Sequence, residues 1–457
     1  MSSNAQGWKS RRGAAVVIAS ALVLLMLASC GLVFDRGEVQ EEKPEPDRNQ
    51  GLSRPPIDPS VEDYYPPPDA DGGWRALSTT QEIQDVVGMD KARLDQAFEY
   101  IQRDSKNGGL LVLRHGWLVY ERYFGLGHRE ALPNSASCGK SFTSIAIGML
   151  MHDRPELFPQ GLDQKIFTPD YFPAETFPLP NPALADIKLG QLLAFTGGIR
   201  GNNPSYVNRQ EVRLDPAGPD GWQGMVDEFA LGKEDVVSED KRLTTSSLWC
   251  APGGGFSYAT ASIHLASIML RHVTGMELET FVRQRLAEPL GWGRFGWGYK
   301  QFERVKHTAG GGGSAVRATD MLRFGYLLLR EGRWGERQIV PRDYVRHCSR
   351  ASLYNPHFPY SLQFDVNSEG DVPQLPRDAF WKRGSGGHAL YVVPSLDLVV
   401  WKLGGRDEQY ASAQTKLEID PRVKRETAAI EDWQATVPDD VAAIETLSMV
   451  ISAVRPR

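Results

Sequence analysis

Two β-rich runs, one near each end of the chain, constrain its fold more than any other feature. The first, Gly109-Leu-Leu-Val-Leu-Arg-His-Gly116-Trp-Leu-Val-Tyr-Glu-Arg-Tyr123, turns at His115-Gly116 and predicts a hairpin. The second, Ala389 to Val393 and Leu398 to Leu403, flanks Pro394-Ser395-Leu396-Asp397 and predicts another. A lone hairpin is marginal in water, so each needs further strands or helices to cover it. Between them lie helical spacings at Lys140 to His152, Ile263 to Val273 and Thr319 to Glu331, separated by long Gly/Pro loops. Leu94, Phe98 and Ile101 predict one more helix over Met89 to Arg103. The order implies an α+β fold: an antiparallel sheet built from both chain ends, flanked by helices, with a largely helical insert. The sheet part is expected at about 89–125 and 380–457 and the insert at about 126–379. There is no internal repeat.

The first residues read as a targeting segment. Lys9, Arg11 and Arg12 precede an apolar run from Ala14 to Leu27, which reaches Leu27-Ala28-Ser29-Cys30. The run is shorter than the ~20 residues a spanning helix needs, and its layout is that of a secretory signal. A cysteine after small residues resembles a bacterial lipobox. That implies residues 1–30 are a lipoprotein-type signal peptide, with Cys30 acylated and the protein exported and lipid-anchored at the bacterial cell envelope. A plain signal peptide or an uncleaved anchor would share the same layout. Residues 31–73 are rich in proline and acid, as in Glu41-Glu42-Lys43-Pro44-Glu45-Pro46 and Tyr65-Pro66-Pro67-Pro68, and are expected to form a disordered tether, though the tyrosines would locally allow an ordered arm lying on the body. Residues 74–457 are then the folded body.

The net charge of −6, without a long basic stretch, argues against a nucleic-acid partner, which needs a basic face. Besides Cys30 there are three cysteines, Cys138, Cys250 and Cys348, so at most one disulfide can form among them. No Cys/His spacing suits zinc, and neither a metal nor a cofactor is expected.

The chemistry concentrates at Ser137-Cys138-Gly139-Lys140. Ser137 and Lys140 lie three apart at the start of an apolar-periodic helix, so both fall on one face. A serine hydroxyl needs a base, and a lysine serves if burial lowers its pKa. The first turn of a helix adds N–H groups that favour developing negative charge. The bland alternative is a helix cap with a solvated lysine. The same spacing recurs at Ser238-Glu239-Asp240-Lys241, in an acidic stretch with no apolar face behind it, which reads as a surface loop. Pro252-Gly253-Gly254-Gly255-Phe256-Ser257-Tyr258 then leads into a helix. Tyr258 can project a phenol into a cleft as a base or proton shuttle, or simply pack. Gly384-Ser385-Gly386-Gly387-His388 precedes a strand, and an N–H there could join that of Ser137 in an oxyanion hole. Gly310-Gly311-Gly312-Gly313 lacks the ending of a phosphate loop and is expected to allow close backbone packing.

In that order these segments resemble the serine β-lactamase-like superfamily, which includes penicillin-binding DD-peptidases, and within it the class C-related branch with its many esterases and amide hydrolases. The resemblance runs from about Met89 to Gly405, through "SASCGKSFTSIAIGML", "IKLGQLLAFTGGIRG", "APGGGFSYATASIHLASIML" and "GSGGHALYVVPSLDLVVWKLGG". It implies Ser137 as the acyl-forming nucleophile, Lys140 as its base partner and Tyr258 as the proton shuttle. Ser385-Gly386-Gly387 would stand where the family has Lys-Thr-Gly or His-x-Gly, with the His388 amide as second oxyanion donor. Two departures stand out. The tyrosine motif ends in Thr260 rather than Asn, and the third motif carries Ser385 in place of a cation. A missing cation removes the partner for a penicillin carboxylate, unless a protonated His388 supplies it. The implied function is hydrolysis of a small ester or amide. A β-lactamase or DD-peptidase acting on cell-wall peptides is the second reading, and a catalytically silent envelope-binding lipoprotein the third.

Overall fold

In a computed structural model the described residues are 64–455, apart from 180, 202–204, 213–247, 298–307 and 411–432. Cys30, most of the expected tether and Ser238–Lys241 lie outside them.

The two hairpins meet in one sheet. β1 (Gly108–Arg114) and β2 (Trp117–Phe124) are joined at His115-Gly116, both with positive φ, +52° and +72°. Two such residues make the primed turn whose twist matches the strands it joins. A hydrogen bond of 3.0 Å from His115 Nδ1 to Asp397 Oδ2 holds the histidine in this conformation. Among the described residues five more strands of this sheet follow: β3 (Tyr360–Ser361), β4 (Phe364–Val366), β5 (Phe380–Gly384), β6 (His388–Val393) and β7 (Leu398–Leu403). The order is β2-β1-β7-β6-β5-β4-β3, antiparallel throughout. β1 pairs with β7 from Gly109↔Leu403 to Arg114↔Leu398, which closes the chain ends on each other.

Strand alternation divides the core into two. Leu111, Leu113, Leu390, Val392, Val399 and Trp401 face the helical insert. Leu110, Val112, Tyr391 and Val400 face α1 (Thr80–Val87), α2 (Lys91–Ile101) and α6 (Asp439–Ser452). The insert contributes α3 (Gly139–Asp153), α4 (Thr260–Thr274) and α5 (Ala318–Leu329). α3 is buried on every side from Gly139 to Leu150. Its apolar residues bury about 1.5–3 kcal/mol each for Phe142, Ile145 and Met149. Phe142 packs edge-on against Phe324 of α5 at 4.7 Å. The helix that follows Ser137 is thus the axis of the insert.

The helix expected over Met89 to Arg103 is α2, capped by Asp90 through Ala92 N, and Gly88 ends a separate helix before it in the left-handed conformation. Two expectations need correction. The sheet begins earlier than 380, since β3 and β4 lie inside the stretch assigned to the insert. Finally, the tether ends before Gly73. Arg323, fully buried on α5, donates to Pro66 O at 2.8 Å and to Asp69 Oδ1 at 2.9 Å. Tyr65 packs edge-on against Tyr326 and Trp334. A buried guanidinium needs acceptors, and this proline-rich stretch supplies them from its carbonyls.

Candidate active site

Ser137 lies in a single 3-10 turn, Ala136–Cys138, that runs directly into α3. Ala136 has φ +50°, a costly conformation for a residue with a side chain. It is held by Asn134 Oδ1, which accepts from Ala136 N at 2.9 Å, and by Ser135, whose Oγ lies 2.7 Å from Ser314 Oγ. Lys140, one turn on, brings Nζ to 2.9 Å from Ser137 Oγ. The same Nζ donates to Gly311 O at 2.5 Å. Lys140 is only 2% exposed, and burial, aided by the charge of Lys382, pushes its pKa well below the ordinary lysine value.

The four-glycine run serves this lysine. Gly310 O accepts from Thr143 Oγ1 at 2.8 Å, Gly310 N donates to His264 Nδ1 at 3.1 Å, and Gly312 O accepts from Trp297 Nε1 at 2.8 Å. These bonds fix the carbonyl of Gly311 where it receives Lys140. The close packing expected of the run is present, and its purpose is visible in that acceptor.

Tyr258 stands on the loop just before α4, half-buried, with its hydroxyl beside Ser137. Its ring lies edge-on to Phe195 at 5.0 Å and 5.3 Å from Lys140 Nζ. Burial raises its pKa, so at neutral pH the group is a phenol rather than a phenolate. In that form it can donate a proton.

Sequence reasoning missed Lys382. It comes from β5, two residues before the glycine-rich turn, and is 2% exposed. Its Nζ donates to Tyr258 Oη at 3.3 Å and to Tyr360 Oη at 2.6 Å. Tyr360 in turn donates to Gln363 Oε1 at 3.0 Å. Burial lowers the Lys382 pKa to about 8, against the pull of Asp365. The expectation that the third motif has lost its cation is therefore corrected: the ammonium is present, supplied by β5 and seated between two tyrosines.

The third-motif residues are not equivalent. Ser385 is exposed, and its carbonyl accepts from Gln409 Nε2 at 3.0 Å. Gly386 and Gly387 form a turn with φ +93° and +88°. His388 faces away from solvent, 1% exposed, stacked on Trp401 and accepting at Nδ1 from Gly404 N at 3.1 Å. Burial, with the charge of Lys402, drops its pKa to about 3, so it is neutral and cannot stand in as a cation. The residue pressed against the Ser137 turn is Gly384: a Cβ there would lie 2.2 Å from Ser135 O and 3.3 Å from Cys138 N. Gly384→Ala must push β5 off the Ser137 turn, and we expect kcat to fall about tenfold with the fold retained, measured by steady-state ester hydrolysis and circular dichroism.

Cys138, Cys250 and Cys348 are all free thiols, so none of the open disulfide pairings forms. Burial raises the Cys138 thiol to about 12, which makes this neighbour of Ser137 inert as a nucleophile. Among the described residues no group of three His, Cys, Asp or Glu is placed to hold a metal.

Comparison with known proteins places this arrangement. Residues 91–417 match the family model described as Beta-lactamase. The chain is 29% identical over 215 residues to Esterase EstB of Burkholderia gladioli, a match covering 44% of this chain and 50% of the esterase. It therefore spans half the length of that curated relative. Among solved structures, the octameric penicillin-binding protein homologue from Pyrococcus abyssi aligns with a TM-score of 0.52 at 15% identity, over 80% of this chain and 78% of that one. EstCE1, a hydrolase with promiscuous acyltransferase activity, aligns with a TM-score of 0.51 at 16% identity, over 78% and 98%. At such identities the structural likeness speaks for the fold, while the match of most of the sequence to the family model decides membership. The chain belongs to the beta-lactamase family.

Proposed function

We propose that the protein hydrolyses a small ester or amide through an acyl-enzyme on Ser137. The observation that carries this reading is the 2.9 Å contact between Ser137 Oγ and the buried Nζ of Lys140. As an ammonium, Nζ donates to the serine. Once deprotonated, its lone pair accepts the Oγ–H while an N–H remains for Gly311 O.

The steps follow from these roles. Lys140 takes the hydroxyl proton as Ser137 Oγ bonds to the substrate carbonyl carbon, and negative charge moves to the carbonyl oxygen. That charge is received by the Ser137 amide and by an amide at the Gly384–Ser385 end of β5. Of these, the Ser385 amide lies beyond the strand pairing, whereas Gly384 and His388 pair with each other across the β5–β6 hairpin. As the carbon–leaving-group bond breaks, Tyr258 gives its phenolic proton to the departing oxygen or nitrogen. It regains one from Lys140, whose ammonium returns to the neutral amine, because the acylated Ser137 Oγ has no proton to relay. Water then attacks the acyl-enzyme by the reverse sequence.

An ester or amide suits the site better than a β-lactam. The Lys382 ammonium is almost fully buried and bonded to two phenols, so a substrate carboxylate would have to displace them. The esterase activity in the name of the Burkholderia relative supports the same choice. The test is intact-mass analysis of protein lacking the first 30 residues after exposure to an aryl phosphonate. We expect one adduct on the native chain and none on Ser137→Ala. No adduct on the native protein would leave the silent binding lipoprotein standing. A panel of aryl ester, chromogenic cephalosporin and D-Ala-D-Ala peptide then separates the substrates, and preference for the cephalosporin would overturn the esterase reading.

The same proposal places the enzyme at the bacterial envelope, tethered by an acylated Cys30. Radiolabelled palmitate should enter the native chain in a bacterial host and not the Cys30→Ser variant.

A further inference from the structure

Beneath the turn that follows β5 lies an ion pair that the chemistry of Ser137 does not use. Lys402 of β7 and Asp104, just after α2, have side-chain exposures of 1% and 0%, with Nζ 2.5 Å from Oδ2. Two charges buried so completely seldom add stability over an apolar pair of the same size. What they touch gives them another role.

Lys402 Nζ also donates to Gly387 O at 2.6 Å. The adjoining Ser105 donates from Oγ to Gly386 O at 3.3 Å, and Gly405 N donates to the same carbonyl at 2.8 Å. Asp439 Oδ2 accepts from Gly386 N at 3.3 Å. Gln409 Nε2 bridges Ser385 O at 3.0 Å and Asn134 O at 2.8 Å, which ties the turn to the loop that carries Ser137. The carbonyls of Ser385, Gly386 and Gly387 are thus each drawn to a donor. The turn sits directly on the pair: a Cβ at Gly387 would lie 2.1 Å from Ser105 Oγ and 3.0 Å from Lys402 Nζ.

We propose that Asp104 and Lys402 are positioning residues, whose buried contact seats the Ser385-Gly386-Gly387 turn so that the end of β5 presents its amide to the carbonyl attacked by Ser137. The proposal rests on the acyl-enzyme reading above. An amide held in place before the reaction stabilises the oxyanion without reorganisation, and a small displacement is felt in the transition state more than in substrate binding.

The experiment uses the double variant Asp104→Leu/Lys402→Met, which keeps the volume but removes the donor to Gly387 O, beside Ser105→Ala, which removes only one tie to the turn. Active sites are counted by phosphonate titration, and kcat and KM for an aryl ester are expressed per titrated site. We expect kcat to fall at least about tenfold in the double variant and about threefold in Ser105→Ala, with KM unchanged in both. A kcat within twofold of the native value in a titratable double variant overturns the proposal. Should the double variant fail to fold, an unchanged kcat in Ser105→Ala overturns it instead. A native chain that takes up no phosphonate sinks the acyl-enzyme reading itself, whereas a native chain that labels beside variants with native kcat sinks only the positioning role.

Discussion

Replacing Lys140 with methionine should lower kcat/KM for a short-chain aryl ester by about 10³- to 10⁴-fold, the upper range for removing a general base. The fold should survive. Lys140 is 2% exposed, and burial already holds its pKa well below the ordinary lysine value, so the folded protein bears a cost for this amine. Methionine fills a similar volume without that cost, at the expense of one donor to Gly311 O. We therefore expect a melting temperature equal to or above that of the native protein, measured by calorimetry alongside the kinetics. Lys140→Arg is the companion variant. It keeps the charge but cannot lose its proton, so it should be as inactive as methionine and less stable. A folded methionine variant with less than a tenfold loss would show that another group accepts the Ser137 proton.

The part of this site that was legible in the sequence is the part encoded locally. Ser137 and Lys140 are three residues apart at a helix start, so spacing offers their contact, and the ordered motifs around them favour it over a helix cap. Tyr258 is reached through a glycine-rich loop at a helix start, a pattern that also reads directly. Lys382 gives no such signal. Within Phe380-Trp-Lys-Arg-Gly384 a lysine beside an arginine reads as a solvated strand face, and only the pairing Lys382↔Leu390 shows that its side chain points into the insert. Its partner Tyr360 stands on a two-residue strand too short to register as periodicity. His388 errs in the opposite direction: a histidine after glycines reads as accessible, and the stacking on Trp401 that buries it depends on β7. At the level of fold the same division holds. The hairpins and the insert were visible, but an arm lying on the body was only the lesser reading of the tether, because the docking of Tyr64–Gly73 depends on Arg323, which lies more than two hundred residues further along the chain.

Lys382→Met should lower kcat by about 10²- to 10³-fold and change the shape of the pH profile. In the native protein the ammonium donates to Tyr258 Oη, and burial brings its pKa to about 8. Below that pH Lys382 is charged. It then favours negative charge on Tyr258 as the phenol gives up its proton, and its own positive charge disfavours a second one on Lys140. As pH rises through about 8 the ammonium is lost, so kcat/KM should fall on the alkaline side. On the acid side activity rises as Lys140 deprotonates, and because the two lysines interact, the two limbs belong to the pair. In Lys382→Met the alkaline limb near 8 should vanish. The acid limb should move up in pH, since the neighbour that opposed a charge on Lys140 is gone. The loss should also depend on the leaving group. An activated p-nitrophenyl ester departs without a proton, whereas an alkyl ester or anilide requires one from Tyr258, so the variant should lose more on the latter two. An alkaline limb that persists in the variant, or an equal loss on every leaving group, would assign Lys382 to packing and leave Tyr258 to act without it.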